Sequence, residues 1–290
     1  MTCVLQDGVK ISCRAAGLPD GDDAALFIHG LNANMAFWHL LLLRQLGLRR
    51  RLITYDQRGH GYSDLAPRGY TSAELAADAL AVLDSFEIER ADIVAHSFGA
   101  TVALQLARLH PERVRSIVVL DGHVRAIQRD LRLRDWSYFE RWQSHFAEAG
   151  IVLDPDLELN FELPLRINGK AWDEARDALA ADGFFVPSRG KRAREKYRKL
   201  LTETAAPREF RDPAGLTIET IAAISRPTMA IYGEISPYLP TRDGLLRTIP
   251  DCRSETIEGV GHNFPFLRPE KTAEVIEHFW LNRGSGRAAS

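Results

Sequence analysis

Short runs, most of them predominantly apolar, recur along the chain, separated by stretches in which apolar residues follow helical spacing. The apolar runs lie at residues 24–29, 51–55, 91–95, 116–120, 227–232 and 254–257. The helical stretches lie at residues 72–86, 100–110, 244–249 and 269–280. Continuous apolar runs are typical of strands buried on both faces, and their alternation with helices predicts a parallel sheet. We therefore expect an α/β fold whose mostly parallel central sheet is flanked by helices.

Two regions depart from this alternation. Near the start, apolar positions on both sides of Asp7-Gly8 predict a β-hairpin, because Asp-Gly favours a two-residue turn. From residue 124 to residue 213 there are helix-like segments but no further strand, which indicates a helical cap inserted after the sixth strand. The expected organisation is a core at 1–123 and 214–283, a cap (lid) at 124–213 and a disordered tail at 284–290.

Composition narrows the possible function classes. Lys and Arg total 37 against 39 Asp and Glu, and a net charge of −2 argues against nucleic-acid or anionic-membrane partners. No apolar run approaches the ~20 residues that span a bilayer, and the first residues do not resemble a signal peptide. The three cysteines, Cys3, Cys13 and Cys252, form no CxxC pair, so we expect neither a disulfide framework nor a cysteine metal site. A cytoplasmic globular protein is the expectation.

The segment DIVAHSFGATVALQLA, which begins at Asp92, carries the strongest chemical signal. A buried strand passes directly into a helix at Ser97, and Ala95 and Gly99 on either side of the serine are small. Such a turn strains the serine backbone, exposes the hydroxyl and aims the amides of the helix N-terminus at the same point. Serine is also a common helix N-cap, but the combination of strand, small residues and helix favours a nucleophile.

Four motifs occur along the chain in this order: FIHGLN at 27–32, DQRGHGYSD at 56–64, AHSFGA at 95–100 and GVGHNFPF at 259–266. Together they resemble the α/β-hydrolase superfamily in its capped, single-chain form, and the resemblance covers nearly the whole chain apart from the cap. Ala95 replaces the first glycine of the usual G-x-S-x-G motif, but alanine is small enough to keep the turn. The resemblance implies a serine esterase, thioesterase or lactonase that forms an acyl-enzyme on Ser97.

The same resemblance assigns the groups around the nucleophile. The backbone amides of Leu31 and Phe98 correspond to the oxyanion hole. His262 corresponds to the general base, which a serine hydroxyl needs at neutral pH. His123 is the main alternative base, because it lies just after a strand near the same edge of the sheet.

Other polar residues of the motifs are expected to serve the structure. His29 is expected to hold its loop by a hydrogen bond, and His60 is expected to hold the RGHG loop. His96 is expected to point to the other side of the turn from the nucleophile. Asn32 and Asn34 are either polar groups of the pocket or turn formers.

The acid of the triad is where the sequence departs from the family. The usual aspartate follows the strand at 227–232 in a GExD pattern, but this loop reads GEIS and places Ser236 there. Asp121, at the end of the preceding strand, is the favoured substitute: the resemblance implies it, because some family members place their acid there, and geometry permits it, because adjacent strand ends lie only ~5 Å apart. Glu234 is the alternative acid, in the right loop but two residues early. Asp243, or a dyad without an acid, also stays open.

Aromatic residues supply candidates for the substrate pocket, namely Phe37, Trp38, Trp136 and Trp142. At helical spacing, the cap aromatics can equally form the core of the cap. The basic run at 188–199 is either a solvated helix face or a dock for an acyl carrier protein or a coenzyme A thioester. The chain has no P-loop, no GxGxxG after a strand and no HExxH, so we expect neither a cofactor nor a metal.

Several functions remain open on the sequence alone. Hydrolysis of an ester, thioester or lactone of a small-molecule acyl substrate is favoured. A carbon–carbon bond hydrolase or an acyltransferase could use the same groups, because fold analogy does not choose among them. A ligand receptor or scaffold that keeps the fold without turnover is the alternative from another class.

Overall fold

The computed structural model describes residues 1–18, 23–40, 42–46, 50–136, 138–148, 150–166 and 191–283. The tail expected at 284–290, part of the expected cap and the first residues of the basic run lie outside this range.

A sheet of eight strands forms the centre of the described chain. The strands are β1 Thr2–Val4, β2 Lys10–Gly17, β3 Ala24–Ile28, β4 Arg51–Tyr55, β5 Ala91–His96, β6 Val114–Leu120, β7 Thr228–Gly233 and β8 Cys252–Ile257. Their order is β1-β2-β4-β3-β5-β6-β7-β8. β2 pairs antiparallel with β1 and β4, and every other pair is parallel. The expected hairpin and the mostly parallel sheet are therefore confirmed.

Helices cover both faces of the sheet. The helices are α1 Ala36–His39, α2 Leu42–Gln45, α3 Ser72–Ser85, α4 Gly99–Leu109, α5 Phe139–Glu148, α6 Leu163–Arg166, α7 Lys191–Glu203, α8 Ala206–Glu209, α9 Ile218–Ala222, α10 Leu239–Thr248, α11 Phe264–Leu267 and α12 Pro269–Asn282. α3 and α4 pack on one face through residues such as Leu83 and Leu104. α1, α2 and α12 pack on the other face through residues such as Trp38 and Phe279. Every residue of β3, β5 and β7 is buried, as their apolar runs predict.

Local chemistry fixes where the longer helices begin and end. α3 begins with a capping box, in which Thr71 Oγ1 accepts from the Glu74 amide and the Glu74 carboxylate accepts from the Thr71 amide. α4 ends at Leu109, two residues before Pro111, which cannot continue a helix. Of the helices in the described ranges, none combines the length and the apolar character needed to cross a bilayer.

The described residues between β6 and β7 contain the helices α5 to α9 and no strand of the sheet, and the insertion follows the sixth strand as expected. They have an apolar cluster of their own, which includes Leu133, Trp136, Phe139, Trp142 and Phe146. α7 is tied to the core by Lys196, whose ammonium donates to the carbonyl oxygens of His60, Gly61 and Ser63. The insertion therefore packs over the DQRGHGYSD loop at the carboxyl edge of the sheet.

Candidate active site

Ser97 lies on a sharp turn between β5, which ends at His96, and α4, which begins at Gly99. Its φ of 56° is in the left-handed region that non-glycine residues rarely adopt. A Cβ added at Gly99 would lie 2.5 Å from the carbonyl oxygen of Ile28, and one added at Gly30 would lie 2.7 Å from the Ser97 Cβ. The strained serine expected from the sequence is thus present, and glycine is required at position 99 of the turn and at position 30 of the loop that packs against the serine.

Three side chains from different strand ends meet at this turn. Ser97 Oγ lies 3.0 Å from His262 Nε2, and His262 Nδ1 lies 2.9 Å from Asp121 Oδ1. Asp121 is fully buried and His262 is half-buried. With the imidazole proton on Nδ1, the ring donates to the carboxylate and accepts the serine proton at Nε2. We call these three residues the Ser97–His262–Asp121 array.

The last residue of β7 and the loop after it hold the Asp121 carboxylate with two donors. The Gly233 amide donates to Oδ2 at 2.9 Å. The Ser236 hydroxyl donates to Oδ1, the oxygen that also contacts His262, and itself accepts from the Tyr238 amide at 3.0 Å. A fully buried carboxylate needs such donors to offset its lost hydration. Sequence reasoning missed this contact of Ser236, and the only signal for it was its place in the GEIS loop.

The alternative acids make other contacts. The Glu234 carboxylate accepts from the Gly259 amide at 2.8 Å. Asp243 forms an ion pair at 2.8 Å with the arginine that precedes it. Among the described residues, neither carboxylate has a hydrogen bond to His262, whereas Asp121 does.

Two backbone amides next to Ser97 are available to a ligand. Within the described ranges, the N–H groups of Leu31 and Phe98 donate to no protein acceptor, and both residues line the adjacent cavity. The Leu31 loop is held by Asp56, whose carboxylate accepts from the amides of Met35 at 2.7 Å and Tyr62 at 2.8 Å. Burial raises the pKa of that carboxyl group. The DQRGHGYSD motif thus fixes the loop that presents Leu31.

The polar side chains of the loop after β3 have two roles: some hold the loop in shape, and one lines the cavity. His29 donates from Nδ1 to the Gly30 carbonyl at 2.7 Å and accepts at Nε2 from the Gln57 amide at 3.0 Å, which is the expected structural role. The Asn34 side chain accepts from the first amide of α1 at 2.9 Å and is a turn former. Asn32 lines the cavity.

His96 differs from the expectation. It does not point away from the site: its ring centroid lies 4.7 Å from that of His262, and its Nε2 donates to the His262 carbonyl at 2.9 Å. The reason is strand alternation, because His96 shares a face of β5 with Val94, and the loop of His262 packs on that face. His123, the alternative base, instead donates from Nε2 to the Gln128 carbonyl at 3.0 Å.

A cavity of about 240 Å³ adjoins the Ser97–His262–Asp121 array and has mostly apolar walls. Its aromatic lining consists of Phe37, Phe98, Trp136, Trp142, Phe161, Tyr197, Phe210 and Tyr238. Three of the four residues predicted to bind substrate, Phe37, Trp136 and Trp142, therefore line the cavity beside Ser97. Trp136 and Trp142 also belong to the apolar cluster of the cap, so the two interpretations of the cap aromatics are compatible.

Trp38 does not line this cavity and is fully buried. Its ring centroid lies 4.8 Å from that of Phe37 and 5.3 Å from that of Phe27 in β3. Successive residues of a helix point about 100° apart, so Trp38 faces the sheet when Phe37 faces the cavity. The prediction of Trp38 as a substrate-binding residue is therefore corrected to that of a core residue.

The model of the Alpha/beta hydrolase family matches residues 25–275, a range that contains the whole array. The chain belongs to the alpha/beta hydrolase family. The resemblance inferred from the four motifs is confirmed, and so is the fold class.

This alpha/beta hydrolase is similar to the 2-(acetamidomethylene)succinate hydrolase of Mesorhizobium japonicum, at 38% identity over 260 residues that cover 88% of this chain and 86% of the relative. It is 40% identical over 122 residues to the 2-hydroxymuconate semialdehyde hydrolase of a Pseudomonas species, and that match covers 40% of this chain and only 41% of the relative's length. The crystal structure of the enol-lactonase from Burkholderia xenovorans LB400 aligns with a TM-score of 0.67 at 18% identity, covering 97% of this chain and 100% of that chain. This last likeness shows the fold alone.

Burial keeps two histidines of this hydrolase neutral. It lowers the pKa of His29 to about 4 and the pKa of His60 to about 3. In the unfolded chain both values lie near ~6.5, so between about pH 6.5 and about pH 4 the unfolded state binds protons that the folded state does not. The free energy of unfolding is therefore expected to fall on acidification through this window.

The variant His60→Asn removes the contribution of His60 to this pH dependence. The free energy of unfolding is measured in urea between about pH 7 and about pH 5. We expect it to fall on acidification in both proteins, but less steeply in the variant. The two slopes should differ by up to about 1.4 kcal/mol per pH unit. The carboxylates contribute equally to both proteins and cancel in the difference. Equal slopes would show that His60 titrates normally in the folded protein.

Proposed function

We propose that this chain is a cofactor-independent serine hydrolase that cleaves an ester, thioester or lactone through an acyl-enzyme on Ser97. The observation that carries the proposal is the line of contacts from the Ser97 hydroxyl through His262 to the buried Asp121, beside a mostly apolar cavity. A serine hydroxyl is a poor nucleophile at neutral pH. An imidazole nitrogen 3.0 Å away can accept its proton as the new bond forms.

In the first half-reaction, Ser97 Oγ adds to the carbonyl carbon of the substrate while its proton passes to His262 Nε2. Asp121 accepts the hydrogen bond from Nδ1–H and stabilises the imidazolium. The oxyanion faces the amides of Leu31 and Phe98, and loss of one such donor costs about 2.7–4 kcal/mol in other enzymes. Collapse breaks the bond to the leaving group, which takes the proton from His262 and leaves the acyl ester on Ser97.

The second half-reaction repeats these steps with water as the nucleophile. Water gives a proton to His262 Nε2 as its oxygen adds to the acyl carbon. Collapse then breaks the bond to Ser97 Oγ, which regains the proton, and the carboxylic acid leaves. The same oxyanion donors and the same carboxylate serve both halves, and the enzyme returns with a neutral imidazole.

The cavity favours a small substrate with an apolar or planar acyl part. Phe98, Phe161 and Phe210 form one wall, with Phe210 meeting the other two rings edge-on at 5.2 Å and 5.4 Å. Trp136 and Trp142 contribute an edge-to-face pair at 5.0 Å to the lining. Aromatic walls of this kind bind planar groups in preferred orientations. The similarity to the Mesorhizobium enzyme adds 2-(acetamidomethylene)succinate to the compounds to be tested.

The second candidate substrate is an acyl group linked to a carrier, such as an acyl carrier protein or coenzyme A. The carrier would have to bind the basic helix α7. Most described basic side chains of that helix already have partners in the protein. Arg198 pairs with Glu195 at 2.8 Å, Arg192 lies 4.9 Å over the Tyr62 ring, and Lys196 donates into the core. A free small molecule is therefore the favoured substrate.

A substrate panel tests the proposal directly. Methyl and aryl esters, acyl thioesters, lactones and 2-(acetamidomethylene)succinate are each incubated with the wild type, with Ser97→Ala as the blank and with Ser144→Ala as the control. Ser144 is an exposed serine of α5 whose hydroxyl donates to the Glu140 carbonyl, away from the array. We expect the wild type and Ser144→Ala to hydrolyse at least one class, and Ser97→Ala to hydrolyse none.

The alternative functions give different results in the same assays. An acyltransferase would form its product only when an alcohol, thiol or amine acceptor is added. A carbon–carbon bond hydrolase would cleave 2-hydroxymuconate semialdehyde in preference to every ester. A receptor or scaffold would bind compounds without turnover, and its Ser97 would resist a fluorophosphonate.

A further inference from the structure

The imidazole of His96 lies at the centre of a column of rings that includes His262. Its centroid lies 4.7 Å from Phe37 with an angle of 26° between the planes, and 4.7 Å from His262 with an angle of 34°. The Tyr238 ring meets His262 at 5.0 Å, nearly edge-on. The ring of His262 is thus in contact with both His96 and Tyr238.

A hydrogen bond fixes the state of His96 as well as its place. Its Nε2 lies 2.9 Å from the His262 carbonyl oxygen, which can only accept, so the proton of His96 resides on Nε2. Its Nδ1 is buried and has no hydrogen-bond partner among the described residues. Burial lowers the pKa of His96 well below its usual range. The side chain is therefore a neutral imidazole in one tautomer.

We infer that His96 is a positioning residue that fixes both the backbone and the ring of His262. The inference rests on the proposed function, in which His262 must keep Nε2 at the Ser97 hydroxyl and Nδ1 at the Asp121 carboxylate. These two contacts lie in the plane of the imidazole and restrict tilting of the ring only weakly. The stacked ring of His96 limits that tilt, and its N–H anchors the carbonyl of the same residue.

The neutral state of His96 suits the charge that His262 acquires. During each half-reaction His262 becomes an imidazolium, and the face of a neutral aromatic ring attracts a cation. A second imidazolium at 4.7 Å would repel it in a buried setting. His96 therefore supports His262 in its neutral and in its charged form.

Two variants separate the two contacts. His96→Phe keeps a ring in the column but removes the N–H donor, and His96→Leu removes both. His278→Leu makes the same chemical change at an exposed position of α12 and is the control. For each protein, kcat, KM and the rate of fluorophosphonate labelling are measured. The final extent of labelling gives the number of reactive sites, and kcat is calculated per reactive site. Misfolded protein then does not contribute to kcat.

We expect His96→Phe to lower kcat about tenfold, a change of about 1.4 kcal/mol that equals the size of one hydrogen bond, with KM within about twofold. His96→Leu is expected to lower kcat further, and labelling should slow in parallel with kcat. A kcat within about twofold of the wild type in both variants, or a loss confined to KM, would overturn the inference. Ser97→Ala keeps the two proposals apart: if its turnover stays within about tenfold of the wild type the proposed function fails, whereas silent His96 variants beside a Ser97→Ala protein that has lost its activity refute only the positioning role.

Discussion

Ser97→Ala is expected to lower kcat by about six orders of magnitude. The variant lacks the oxygen that forms the acyl-enzyme, and His262 then has no proton to accept in the first step. The cavity walls and the amides of Leu31 and Phe98 are unchanged, so KM should stay within about threefold. Initial rates on the best substrate of the panel measure both constants, and the residual rate should come from binding and the oxyanion donors alone.

The control for this loss is Ser144→Ala, which removes a hydroxyl from the exposed side of α5. Its kcat should equal that of the wild type. A trace of wild-type enzyme in the Ser97→Ala preparation is recognised because a fluorophosphonate abolishes its contribution. A Ser97→Ala protein within about tenfold of the wild type, and insensitive to that reagent, would remove Ser97 from the mechanism.

Asp121→Asn is expected to lower kcat by about 10³–10⁴-fold. The amide removes the charge that stabilises the imidazolium and can turn its NH₂ group towards Nδ1, which favours the wrong tautomer of His262. The change suits the backbone, because Asp121 has a φ of 48° and asparagine tolerates the left-handed region. Glu234→Gln is the matched control and should stay within about twofold of the wild type, since the Glu234 side chain contacts the Gly259 amide. Equal losses in the two variants would contradict the assignment of the acid.

The assignment of Asp121 as the acid can also be tested by restoring activity with a carboxylate placed at position 236. The Ser236 hydroxyl contacts the Asp121 oxygen that also contacts His262, so an aspartate at 236 places its carboxylate close to the imidazole. In the Asp121→Asn background, adding Ser236→Asp is expected to raise kcat at least about tenfold, whereas adding the uncharged Ser236→Asn is not. No gain from the aspartate would mean that the geometry at Asp121, and not a charge beside His262, limits the rate.

Much of the fold could be predicted because the apolar runs of β3, β5 and β7 are continuous and these central strands are fully buried. The turn at Ser97 was predictable for a local reason, since small residues must flank a serine held at positive φ. Asp121 could be predicted only by elimination, because the GEIS loop lacks the usual aspartate. The short helices α1 and α2 carry too few residues for a periodic pattern to be visible.

The remaining differences depend on directions in space that the order of residues does not specify. Phe37 and Trp38 are neighbours of similar character, and only the seating of α1 on the sheet decides which one faces the cavity. His96 was expected on the far side of the turn, but its side chain follows the face of β5 on which the His262 loop packs. The hydroxyl of Ser236 reaches Asp121 because β6 and β7 are adjacent in the sheet. The last two contacts, of His96 with His262 and of Ser236 with Asp121, each join residues far apart in sequence.

Mass spectrometry of the enzyme during turnover tests the central claim most directly. The wild type and Asp121→Asn are mixed with an excess of the best ester substrate, quenched in acid within milliseconds to seconds, digested and mapped. We predict an added acyl mass on the peptide that contains Ser97, formed and lost at rates compatible with kcat and absent from Ser97→Ala. Hydrolysis at the full rate with no acyl group on Ser97, or with the acyl group on another residue, would contradict the account.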